Sequence, residues 1–155
     1  MQHPKGKVMA NNASLNYGSL IKAMVFGLFG AGFIYALIVN PSSNESKERL
    51  RQMQSDLRAL LPNETSVLYR QDFAKNGGAL LLRGLSAAAW TPEFKSKYFD
   101  TLAGLGWRRV DPDGFYCKNG MSISTYDHVT SYHGQSVEVI DITMDYSALS
   151  KRRCE

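Results

Sequence analysis

A chain of 155 residues has room for one modest domain, and its two cysteines are too few for a disulfide-rich scaffold. Eighteen Lys and Arg against 14 Asp and Glu leave a net charge of +4, but the basic residues are interleaved with acids, as in Glu45, Lys47, Glu48, Arg49 and Arg51. That pattern lacks the clustered basic stripe of a nucleic-acid footprint, so no nucleic-acid partner is expected.

Residues 1–19 read as a polar N-terminal tail with Lys5 and Lys7 and no acid. Residues 20–40 form an almost uninterrupted apolar block, with 23–39 reading AMVFGLFGAGFIYALIV and Lys22 as the only charge. About 20 helical residues span roughly 30 Å, the hydrocarbon thickness of a bilayer. The block is therefore expected to be a transmembrane helix in contact with membrane lipid. No Ala-x-Ala cleavage site follows it, which favours a retained signal anchor over a removed signal peptide. Lys22 touches the helix edge while residues 40–44 are uncharged, so the N-terminus is expected in the cytoplasm and the C-terminal part outside it.

Ala23, Gly27 and Ala31 recur every four residues within the block. Small residues at this interval let helices approach closely in lipid, which marks them as candidate packing positions for a homodimer or a partner helix. Glycine and alanine are common in membrane spans for other reasons, and that reading stands beside the first.

Residues 41–155 read as one soluble α+β domain. Pro41 breaks the chain, Ser43 or Asn44 is placed to cap a helix, and Leu50, Met53, Leu57 and Leu60 or Leu61 follow helical spacing up to Pro62. Strands are expected at 66–73 and 79–85 around the turn Asn76-Gly77-Gly78. Thr91 with Pro92 opens a further helix, in which Phe94, Tyr98, Phe99, Leu102 and Ala103 line one face up to Gly104 or Gly106. A split strand follows at 107–110 and 115–117, interrupted by the turn residues Asp111, Pro112, Asp113 and Gly114. Asn119-Gly120 signals a hairpin into 121–126. In 136–146 the apolar positions change phase between Val139 and Ile140, which predicts a bulge there. The expected architecture has two layers: an antiparallel sheet of about five strands, with two helices on one face. Its core is expected to hold Leu57, Leu61, Val67, Leu80, Leu82, Phe94, Tyr98, Leu102, Ile123 and Ile142.

Candidate chemistry is sparse. Cys117 and Cys154 would be two thiols in the cytosol, whereas outside it a disulfide between them is expected, and the orientation argued above favours the bond. His128 and His133 flank the expected last turn with Asp127 adjacent, too few ligands for a zinc site. No Gly-x-Ser-x-Gly elbow or phosphate loop occurs, so no catalytic, metal or cofactor residues are assigned and no enzyme activity is expected.

An apolar N-terminal helix, an amphipathic helix, a small antiparallel sheet and a C-terminal cysteine pair give a layout that loosely resembles type IV pilins and pseudopilins. The resemblance implies a filament-type subunit. The sequence departs from that family's processing motif, since Gly18 is followed by Ser19, Leu20, Ile21 and Lys22, with lysine where the family carries its acid. The leading expectation is a single-pass accessory or binding protein of a bacterial inner membrane. It would present its domain to the periplasm as an envelope-complex subunit or an immunity-type protein with a protein partner. A membrane-anchored hydrolase or lipid-handling enzyme is the competing expectation.

Overall fold

The computed structural model describes residues 17–111 and 114–155, without the side chains of residues 17–20, 23, 37 and 64. The chain divides into two compact units, Met1–Ala36 and Leu37–Glu155. Most of the expected N-terminal tail lies outside the described residues, as do Pro112 and Asp113 of the expected turn.

The described part of the first unit is helix α1 (Tyr17–Val39) as far as Ala36; the helix starts ahead of the expected residue 20. Its described large apolar side chains are exposed, from Val25 at 45 % to Ile38 at 77 %. The described side chains run 21–22, 24–36 and 38–39, and among the described residues no helix is long and apolar enough to cross a membrane.

The second unit is α+β. Helix α2 (Ser43–Leu60) is capped by Ser42, one residue ahead of the expected cap, whose hydroxyl accepts from the Glu45 N–H. After it come β1 (Val67–Lys75), β2 (Gly78–Ser86), α3 (Pro92–Gly104), β3 (Arg108–Arg109), β4 (Tyr116–Lys118), β5 (Met121–Tyr132), β6 (Gln135–Ser147) and α4 (Ala148–Cys154). Thr91 caps α3 with Pro92 in its first position, as the sequence predicts. The strands form one antiparallel sheet of six rather than five, in the order β1-β2-β6-β5-β4-β3. The extra strand arises because the two halves of the expected split strand fold back on each other, with Arg108 opposite Cys117 and Arg109 opposite Tyr116.

Residues paired across strands share a face, so Leu81, Met144, Ile123 and Tyr116 form one row. That row joins Met53, Leu57 and Leu60 of α2 and Tyr98 and Leu102 of α3 in a single buried cluster, which places both helices on one face. Ala79, Leu81 and Leu85 supply the core from β2, not Leu80 and Leu82, which are half-buried on the opposite side. Arg83 shares the face of Leu81 and Leu85. Here it is buried on the helix side, where Asp72 of β1 binds it through both carboxylate oxygens. Val67 and Phe94 only pack against the core as partly buried residues.

The predicted bulge in β6 is absent: its register to β2 and β5 runs unbroken through Val139 and Ile140. Both phases of β6 are covered instead. Ile142, Met144 and Tyr146 face the helices, while Val139 is buried on the other face. The irregularity falls in β1, between Val67 and Tyr69.

Past that irregularity the Tyr69 ring lies over Gly84 of β2, and its hydroxyl donates to Asp141 of β6. A Cβ on Gly84 would sit 2.2 Å from Tyr69 Cζ. The substitution Gly84→Ala is therefore expected to destabilise the domain by about 1 to 3 kcal/mol, as overpacking does. Combining it with Tyr69→Ala should cost less than the sum of the two single changes, because the clash disappears with the ring. Urea unfolding of the four proteins checks this; strict additivity would show that the ring moves aside freely.

Candidate functional site

A cleft of about 560 Å³ lies between α3 and the sheet. It exists because β4 is short. Strand β4 pairs with β5 only from Lys118 opposite Met121 to Tyr116 opposite Ile123. Upstream of Tyr116 the chain turns away at Gly114, whose φ of +87° suits glycine, and the Phe115 N–H is held by the Asp111 carboxylate at 3.1 Å. Strand β5 continues to Tyr132 with β6 as its only partner strand among the described residues. The slot left beside β5 is the cleft.

Its walls follow from the same register. Thr125 and Asp127 of β5 and Ile140 of β6 lie on the helix side, since Asp127 opposes Ile140 and Thr125 opposes Ile142. Lys95 and Phe99, one turn apart on α3, face them together with Arg109 of β3. Phe99 stacks on Tyr116 with centroids 5.8 Å apart, and Trp90 packs edge-on to Tyr98 at 5.0 Å. The floor is thus aromatic, and among the described residues Lys95, Arg109 and Asp127 are the charged groups that line the cleft. Arg109 is steered by the Asp111 carbonyl, which accepts from its Nε at 3.0 Å. Tyr98 beneath the floor is buried with no partner for its hydroxyl among the described residues, and burial pushes that phenol above its ordinary value.

Other polar groups hold the fold together. Asp56, buried on α2, accepts from Trp107 Nε1 at 3.0 Å and from Lys118 Nζ at 2.7 Å, tying α2 to the start of β3 and to β4. The hydrogen bond from Arg83 holds the Asp72 carboxyl below the usual range, and Gln54 adds a second at 3.0 Å. The Tyr146 hydroxyl donates to Glu45 and lowers that carboxyl in the same way.

No family model, no curated protein and no solved structure gives a significant match to this chain.

Of the residues singled out in the sequence, Cys117 and Cys154 form a disulfide with their Cα atoms 5.3 Å apart. Gly27 and Ala31 lie exposed on α1, and the Ala23 side chain is outside the described ones. His128 does not flank the last turn as expected. It lies within β5, its Nδ1 is 3.8 Å from Asp141, and its ring stacks on Tyr126. The turn is His133-Gly134, where both residues have positive φ, as they do in the Asn119-Gly120 turn. The cleft residues carry no motif, and only the ladder of strand pairs brings them together. The shortness of β4 is what a reader of the sequence lacks.

Proposed function

We propose that this protein is a single-pass membrane-anchored binding protein, an accessory component that holds its α+β domain outside the cytoplasm. The setting proposed is a bacterial inner membrane with the domain in the periplasm, as a subunit of an envelope complex or an immunity-type protein. What carries the reading is the surface of α1. Phe26, Leu28, Phe29, Phe33 and Ile38 are each at least 67 % exposed on one helix, a surface that water does not tolerate and lipid covers. At 1.5 Å per residue the backbone of α1 from Tyr17 to Val39 is roughly 35 Å long, and the apolar sequence of residues 20–40, part of it outside the described side chains, supports the span. The Cys117–Cys154 bond fits an oxidising compartment. On the domain, an aromatic floor under a charged rim has the make-up of a recognition surface.

A reporter enzyme that matures only outside the cytoplasm, fused after Glu155, tests the reading in cells. Activity of that fusion, silence of a cytoplasm-specific reporter at the same position, and retention in carbonate-washed membranes are the expected results. An active cytoplasmic reporter would reverse the topology, and release by carbonate would remove the anchor.

A further inference from the structure

The two edges of the sheet are unlike. At one edge β1 carries Arg70, Asp72 and Lys75, has its register broken between Val67 and Tyr69, and packs against α2, all of which discourage a further strand. At the other, β5 outlasts β4, and residues 124–132 read STYDHVTSY. That stretch has no Pro or Gly, one carboxylate, and mostly Thr, Tyr, Val and Ser, a composition suited to extended pairing. Its N-terminal part, at Thr125 and Asp127, borders the aromatic cleft, so a strand laid on this edge would pass directly over the floor made by Phe99 and Tyr116.

We propose that the open edge of β5 receives an extended peptide segment of a partner protein as an added strand, with one apolar side chain in the cleft and an acidic side chain against Lys95. The inference rests on the reading of the protein as a binding module and names its class of partner. Main-chain hydrogen bonds to β5 would supply affinity without regard to sequence. Specificity would come from alternate side chains, since every second residue of an added strand points to the helix side. There it meets Trp90, Phe99 and Tyr116, and beyond them the ammonium of Lys95, which attracts an acidic group.

The test pans a randomised hexapeptide library displayed on phage against the full-length chain in detergent micelles. Enriched sequences are expected to alternate apolar residues with polar ones and to carry Asp or Glu at a fixed offset from the apolar anchor. A fluorescein-labelled copy of an enriched peptide should lose at least about tenfold in affinity for the Lys95→Glu protein, as reversing a charge contact does, and recover when its acid is changed to lysine. Methylating alternate backbone amides of the peptide should abolish binding in one phase and spare it in the other. Absence of enrichment, indifference to Lys95→Glu, or equal binding of both methylated phases would each overturn the proposal. So would a concentration-dependent dimer that protects the amides of 124–132 from exchange, which would assign the edge to a second copy of the chain. Failure here with the membrane reporter still active outside the cytoplasm would leave the anchor reading standing and remove only the peptide.

Discussion

The double substitution of Cys117 and Cys154 by serine is expected to lower the stability of the domain by about 3 to 4 kcal/mol. The bond closes a sequence separation of 37 residues. In the chain-entropy model a loop of that length removes about that much free energy from the unfolded ensemble. Cys117 is 1 % exposed on β4, so its partner reaches it through a packed surface rather than across solvent. Helix α4 is the element at stake. It has seven residues and begins with a capping box in which Ser147 accepts from the Ser150 N–H while Ser150 accepts from the Ser147 N–H. A helix this short does not persist alone in water, cap or no cap, because nucleation costs more than its few hydrogen bonds return. Its remaining contacts include the Arg153 guanidinium over Phe115 and the Lys151 ammonium over the Tyr146 ring and 3.7 Å from Glu45, each weak near the surface. Urea titration of the oxidised, reduced and doubly substituted proteins measures the effect, with hydrogen exchange over residues 148–154 reporting on α4. An unchanged midpoint with loss of protection in α4 alone would confine the bond's influence to the tail and refute a global contribution.

Where local chemistry decides an element, the sequence is a good guide. Thr91-Pro92 opens α3, Asn119-Gly120 closes the β4–β5 hairpin, and Met53 and Leu57 face inward from α2 at helical spacing. Where long-range pairing decides, it is not. Three consecutive leucines in β2 carry no period-two signal, so the choice between Leu80 and Leu81 depends on Asp72 of the neighbouring strand accepting Arg83 on the helix side. The phase change in β6 imitates a bulge because both of its faces are covered at different heights, a fact of packing invisible in 136–146. The cleft is a sharper case. Lys95, Phe99, Arg109, Asp127 and Ile140 are ordinary residues of four different elements, and only the early end of β4 leaves space between them. The cysteine pair was legible because its chemistry has few alternatives; α4, which delivers one half of it, was not.

Truncating Leu102 to Ala is expected to cost about 2 to 5 kcal/mol, the range for removing a fully buried leucine. Leu102 has no exposed surface and belongs to the cluster of Met53, Leu57, Leu81, Ile123 and Met144, so the void would open where both helices meet the sheet. Its carbonyl also accepts from the Trp107 N–H at 3.0 Å, across the turn that leads from α3 into β3. Movement of α3 to fill the void would therefore pull on Trp107, whose Nε1 is committed to Asp56. That tether limits relaxation and favours the upper part of the range. A domain of this size is stable by roughly 5 to 15 kcal/mol, so the change removes a large share. The measurement suits a fragment beginning at Leu37, which keeps the buried Pro41, whose carbonyl accepts from the Gly77 N–H, and the Ser42 cap of α2. Cooperative thermal unfolding is expected for the fragment and should be strongly lowered in Leu102→Ala. Leu149→Ala, at a position 61 % exposed on α4, should leave the midpoint nearly unchanged. Equal shifts for the two variants would mean that the cluster around Leu102 is not the core, and a fragment without a cooperative transition would mean that the domain needs α1 or a partner to fold.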